Sequence, residues 1–210
     1  MTAPSRAHHV LEFWFGTRPY APDLVSRRLQ FWFGDVAAPE LQPQTDEALK
    51  LRFGAMTAAA ARGEFDAWES SPRRRLALIL LLDQFPRNIY RHAAQAYAQD
   101  HRALKLTVGG MQLGADAALD PVERIFFYMP MQRAESREIQ EESVAAFRRL
   151  AAEAPAEFAQ ILANVAFHAE QHHAIIERFS RFPHRNGALR RISTPEESLW
   201  LPSATAHFGQ

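Results

Sequence analysis

Cysteine is absent from the 210 residues, and with it any disulfide framework, thiolate metal site or cysteine nucleophile. Lysine is scarce: arginine supplies all of the 24 basic residues except Lys50 and Lys105, a bias that coding preference explains as readily as function. Net charge is zero, with 24 basic against 24 acidic side chains, so the broad basic field needed to coat nucleic acid or an anionic membrane is missing. No nucleic-acid or membrane partner is therefore expected, although a local basic patch stays open. The longest apolar run, 76–82, has seven residues, whereas a spanning helix needs about 20. The residues up to His9 hold no apolar leader, and a cytoplasmic location is the expectation. Gly-x-Gly-x-x-Gly, the Gly-x-x-x-x-Gly-Lys-Ser/Thr loop and Gly-x-Ser-x-Gly are all missing, which excludes standard dinucleotide, P-loop and nucleophile-elbow sites. No cofactor is expected.

Sustained period-two alternation is missing as well, and what remains is helical punctuation. The 47% hydrophobic content supports a globular chain, and its length suits a single helical domain, 1–210, with a core of about 10–200. Phe-Trp-Phe-Gly occurs at 13–16 and again at 31–34, each glycine placed to end a helix. Pro39 and Pro43 mark a loop before a long helix over 45–62. Ser71-Pro72 opens a helix apolar on all sides, and Pro86 is expected to stop it. Helical patterning resumes over 94–113. Asp120-Pro121-Val122-Glu123 reads as a capping box, with Pro130 limiting that helix to about two turns. Long helices over 135–153 and 155–179 follow, and Thr194-Pro195-Glu196-Glu197 starts a short terminal one. The fold class is all-α. No fixed period of about 34 residues runs through the chain, so an irregular stack of antiparallel helix pairs is favoured over a regular solenoid, with a compact bundle as the alternative.

Two segments repeat one arrangement: Asp83-Gln84-Phe85-Pro86-Arg87-Asn88 and Arg181-Phe182-Pro183-His184-Arg185-Asn186. In each, the aromatic ring can anchor a turn while proline breaks the helix, so the following Arg and Asn project from a rigid corner. Guanidinium forks suit carboxylate or phosphate. The second corner lies in the most basic stretch, where Arg178, Arg181, Arg185, Arg190 and Arg191 accompany His184 without one acid. The plainer reading is that these arginines pair with Asp83, Glu123 or Glu177 and that the Asn residues only cap helices.

His168 and His172 share a helix face, and His184 can fold back towards them, a set of three that suits zinc. The spelling His-Ala-Glu-Gln-His is not the zinc-protease motif, and Glu170–His173 is a single Glu-x-x-His where a di-iron bundle needs two. Hydrogen-bonded core histidines explain the pattern more simply, and no metal is expected. Glu123 either completes the capping box or orients a corner arginine. Tyr128 either belongs to the core or forms an aromatic wall. Glu135, Glu138, Glu141 and Glu142 read as a solvated helix face.

The Phe-Trp-Phe-Gly start, Arg-Leu-Ala-Leu-Ile-Leu-Leu-Leu-Asp-Gln-Phe-Pro-Arg-Asn, Glu-Arg-Ile-Phe-Phe-Tyr-Met-Pro and Arg-Phe-Ser-Arg-Phe-Pro-His-Arg-Asn together resemble domain-of-unknown-function family 924, a mainly bacterial family, over nearly the whole chain. That resemblance implies an all-helical, tetratricopeptide-like superhelix and no assigned reaction, substrate or cofactor. Carried over by position, its motif residues are Asp83, Gln84, Arg87, Asn88, Glu123, His172, Arg178, Arg181, His184, Arg185 and Asn186. His168 stands where relatives have an aromatic residue, which weakens the metal reading further. Ser180 stands where glycine is usual.

Three functions follow as expectations. The first is a pocket in which Gln84, Arg87, Asn88, Arg178, Arg181, Arg185 and Asn186 bind an anionic small molecule or a peptide carboxylate. The second is a hydrolase or transferase using His172 or His184 as acid/base, with Asp83 or Glu123 beside it and Arg87 and Arg185 stabilising charge. The third is an interaction module that binds a partner helix or a second copy of itself as a homodimer.

Overall fold

A computed structural model describes residues 5–34 and 41–203, and it is helical throughout, with no strand among the described residues. The principal helices are α1 (Arg6–Phe15), α2 (Pro22–Phe33), α3 (Leu41–Ala61), α4 (Pro72–Leu82), α5 (Gln84–Ile89), α6 (Asp100–Gln112), α7 (Pro121–Gln132), α8 (Arg137–Ala152), α9 (Ala159–Phe179) and α10 (Pro195–Trp200). Short 3₁₀ turns join several of them.

Helix α4 is the axis. All its side chains from Arg75 to Leu82 are buried, because α1, α3, α5, α6 and α7 pack around it. Each fully buried leucine or isoleucine there stabilises the fold by about 1.5–3 kcal/mol relative to exposure. The twin Phe-Trp-Phe-Gly segments supply an aromatic layer. Trp14, Phe15 and Trp32 are buried, and all three rings lie within 5.4 Å of Phe126 on α7. Phe33 is the exception, at 46% exposure. Gly16 and Gly34 end their helices at φ 86° and 81°, a backbone conformation that costs a side-chain-bearing residue dearly. Helices α7, α8 and α9 then follow as neighbours joined by short connections, which makes successive members antiparallel.

The proline punctuation departs from the sequence reading at three places. Pro43 lies inside α3, which begins at Leu41 rather than near 45. Pro86 does not stop a helix: α4 ends at Leu82 and Pro86 is the third residue of α5. A first-turn amide has no intrahelical acceptor, so proline costs nothing in either place. Pro130 lies within α7, which continues to Gln132. The helix survives the missing amide because its last turns are buried on every side; Thr107 Oγ1 on α6 adds a bond to the next carbonyl, Phe127 O, at 2.8 Å. Pro39 lies outside the described residues. Ser71 precedes α4, but its side chain makes no capping bond. The 94–113 stretch divides into a 3₁₀ turn, Ala94–Tyr97, and α6. The predicted capping box Asp120/Glu123 is present, and the helix start at Thr194 forms a second one with Glu197.

Candidate functional site: a buried arginine cluster

Each corner is built by a short helix leaving a long one. At the first, Asp83 joins α4 to α5, Phe85 is fully buried and Arg87 turns back one helical turn towards Asp83. Arg87 Nη1 lies 3.0 Å from Asp83 Oδ1 and donates to Asp83 O at 2.9 Å. At the second, α9 ends at Ser180 in the left-handed conformation (φ 57°), the usual role of glycine at a helix C-terminus. Phe182 is fully buried, and the 3₁₀ turn Pro183–Arg185 carries Arg185 inward.

The two inward arginines meet. Arg87 donates bidentately to Asp100 at the start of α6 (2.8 and 2.7 Å), and Arg185 Nη1 approaches the same carboxylate at 3.5 Å. Both guanidinium groups lie over the Tyr97 ring, at 5.4 and 5.1 Å, and Arg185 also lies 4.4 Å from the Phe182 centroid. A third guanidinium, Arg133 at the end of α7, lies 3.4 Å from Asp83 Oδ2 and donates to Gln84 Oε1 at 3.4 Å. Gln84 Nε2 donates in turn to Asp83.

These three guanidinium groups face two carboxylates, leaving one positive charge in surplus. The neighbouring Arg191–Glu135 pair, bidentate at 2.7 and 3.0 Å, balances itself. The surplus falls unevenly. Arg87 is held firmly charged by Asp100 and Asp83 against the cost of its burial. Burial and then the Arg87 charge lower both Arg133 and Arg185 to about 10. Arg185 Nε and Arg133 Nη1 are buried without a hydrogen-bond partner among the described residues.

Histidine lines the same region. His172 is buried, with Nδ1 2.8 Å from His168 O and 3.1 Å from Gln132 Nε2, and its ring packs edge-on against Phe182. His184 also packs against the Phe182 ring, at 5.5 Å between centroids. Burial lowers both to about 3, helped by Arg133 and Arg185 at His172 and by Arg185 at His184. Both imidazoles are neutral at physiological pH and present hydrogen-bonding groups without charge.

The other sequence candidates are placed elsewhere. Arg181 pairs bidentately with Glu197 (2.6 and 2.7 Å), holding that carboxyl at about 2. Arg178 pairs with Glu196 on the surface at 2.8 Å. Asn186 bridges Ser193, Glu197 and Arg191, pinning the terminal segment. Asn88 turns away from the cluster to Gln84 O, Gln42 and Arg91. Glu123 completes its capping box and pairs with Arg73 (3.0 Å) and Tyr20 (2.8 Å), not with a corner arginine. Glu177 approaches Arg137 and His173, Glu170 pairs with Arg148, and Tyr128 is a core residue donating to Asp116. Glu138, Glu141 and Glu142 are exposed, but Glu135 is engaged, accepting from Phe182 N and Arg191. His168 is exposed while His172 is buried, so the two do not share one environment. Two surface clefts, of about 410 Å³ beside Asn88, Asp46 and Arg91 and about 370 Å³ beside Phe13, Arg28 and Arg52, are not lined by Arg87, Arg133 or Arg185. The expected joint hollow around both corners is therefore a packed cluster with a rim, at which the Asp100 side chain is 24% and that of Arg133 16% exposed.

Over residues 10–205 the chain matches a family described as bacterial proteins of unknown function, domain-of-unknown-function family 924. It belongs to that family. A solved structure of a protein of unknown function from Agrobacterium tumefaciens is similar at 35% identity and a TM-score of 0.75, covering 94% of this chain and 97% of that one. No curated protein matches. These likenesses carry the helical fold and bring no reaction or ligand with them.

In this member of family 924 the cluster depends on residues that the motif reading passed over: Tyr97, Asp100, Gln132, Arg133 and Glu135. Asp100 reads locally as an ordinary acidic first-turn residue, and Arg133 as a basic residue at a helix end. Their one available signal is proximity in sequence to Pro130 and to the Tyr-x-x-Asp spacing, which is weak.

Proposed function

We propose that this protein binds an anionic group at the Arg133–Arg185 side of the cluster, with Tyr97, Asp100 and His184 around it. The observation that carries the reading is Arg185: a buried guanidinium whose only carboxylate contact is a 3.5 Å approach and whose Nε has no hydrogen-bond partner among the described residues. Burying a cation without full pairing is expensive, so an entering anion gains what the protein itself leaves unmet. The partly exposed Asp100 and Arg133 offer the approach from solvent. Gln84 and Arg87 act in this reading as positioning residues, and the finer fold assignment, a single-domain tetratricopeptide-like superhelix working in the cytoplasm, belongs to the same proposal. A histidine acid/base enzyme has less support, because groups that titrate at about 3 do not carry the proton a general acid needs at neutral pH.

Thermal unfolding with a panel of carboxylates and phosphates, at constant ionic strength, tests the reading. A concentration-dependent rise in Tm that disappears in Arg185→Met is the expected result. A flat response across the panel contradicts it.

A further inference from the structure

We infer that the anion taken by this site is a small monovalent carboxylate, seated on the forks of Arg133 and Arg185, and not a phosphate dianion. The inference rests on the anion-binding reading above and narrows it by charge and shape.

Charge comes first. Arg87, Arg133 and Arg185 against Asp83 and Asp100 leave one positive charge, Arg191 and Glu135 cancel, and Tyr97, His172 and His184 contribute none at neutral pH. One negative charge brings the buried cluster to neutrality. A dianion converts a surplus of one sign into a surplus of the other. Its desolvation cost also grows with the square of its charge, about four times that of a monoanion of equal size. A dianion gains no better neutralisation to offset that cost.

Shape points the same way. The fork of Arg87 already holds a carboxylate, Asp100, through two parallel bonds of 2.8 and 2.7 Å. Arg133 and Arg185 reach their carboxylates only at 3.4 and 3.5 Å, so their donors are incompletely used. Arg185 lies against both the Phe182 and Tyr97 rings, 4.4 and 5.1 Å from their centroids, which restricts the movement of its fork. A planar two-oxygen group complements a planar fork.

Calorimetric titration of the full-length protein at mildly alkaline pH and fixed ionic strength separates the outcomes. The probes are acetate, benzoate, inorganic phosphate, and a short peptide with a free C-terminus beside its C-terminal amide. Carboxylates are expected to bind about tenfold more tightly than phosphate. Acetate and benzoate stand for small molecules; a peptide acid binding more tightly than both would overturn the small-molecule source. Phosphate binding more tightly than every carboxylate overturns the monoanion assignment while leaving an anion site in place. Silence from all probes removes the site itself. Two variants test the charge count. Asp100→Asn raises the surplus to two and is expected to shift the preference towards phosphate by about tenfold. Arg133→Gln removes the surplus and is expected to abolish carboxylate binding. An unchanged preference in Asp100→Asn, with Arg133→Gln still binding carboxylate, overturns the inference.

Discussion

The two Phe-Pro corners use the same local design and reach different electrostatic ends. In both, a fully buried phenylalanine anchors the turn, proline occupies the first turn of a short helix, arginine points inward and asparagine fastens the neighbouring backbone or side chains. Arg87 is then satisfied by two carboxylates and two carbonyls, whereas Arg185 is given a distant share of a carboxylate already taken. A repeated motif therefore specifies where a guanidinium goes and not whether it is paired. Pairing is decided partly by the residue four positions before the arginine, Asp83 at the first corner and Arg181 at the second, and partly by Asp100 on another helix.

That contrast breaks most directly at Arg87. Arg87→Met removes the group that both the buried Asp83 and the partly exposed Asp100 lean on and is expected to lower unfolding free energy by about 3 kcal/mol in urea titration. The loss stays near the low end for a broken buried pair because Arg185 can take up part of the Asp100 charge. A smaller loss marks the scaffold that holds the corners. A Cβ on Gly110 would lie 2.6 Å from Phe127 Cζ and 2.8 Å from Arg75 Cδ, so Gly110→Ala should cost about 1–3 kcal/mol without altering anion selectivity.

Acid separates the corners further, since only the second carries a histidine. His172 and His184 titrate at about 3 in the folded protein, below the ordinary 6.5, so the unfolded chain binds more protons between those values. Stability accordingly falls as pH drops from about 6.5 towards 3, each histidine adding a slope of about 1.4 kcal/mol per pH unit. Replacing His184 with Asn should flatten the measured slope by one such increment. The smallest effect belongs to Arg178. Its pair with Glu196 is half exposed, and Arg178→Ala should change stability by about 0.5 kcal/mol or less and leave anion binding intact.

Helix content, the Asp120/Glu123 capping box and the inward anchoring of Phe85 and Phe182 were legible because each depends on residues within one turn of chain. Proline is a weaker stop signal than its spelling suggests: at Pro43 and Pro86 the position within the first turn, and at Pro130 the burial around the helix, decide the outcome, and neither is visible locally. The acid-free run 178–191 resembles a ligand surface in the sequence because its partners are remote. Glu135 reaches Arg191 from 56 positions away, and Glu196 and Glu197 fold back on Arg178 and Arg181. The inward placement of Arg87 and Arg185 is legible in the two corners, but the carboxylate that joins them, Asp100, resembles any helix-starting acid.

The surplus charge at Arg185 is tested most directly by denaturing wild type and Arg185→Met side by side, with and without acetate at equal ionic strength. Without acetate the variant should match or exceed wild type, within about 0.5 kcal/mol or with a gain, because it sheds an incompletely paired buried cation. With acetate only wild type should be stabilised. A variant markedly less stable than wild type, or one that responds to acetate equally, contradicts the account.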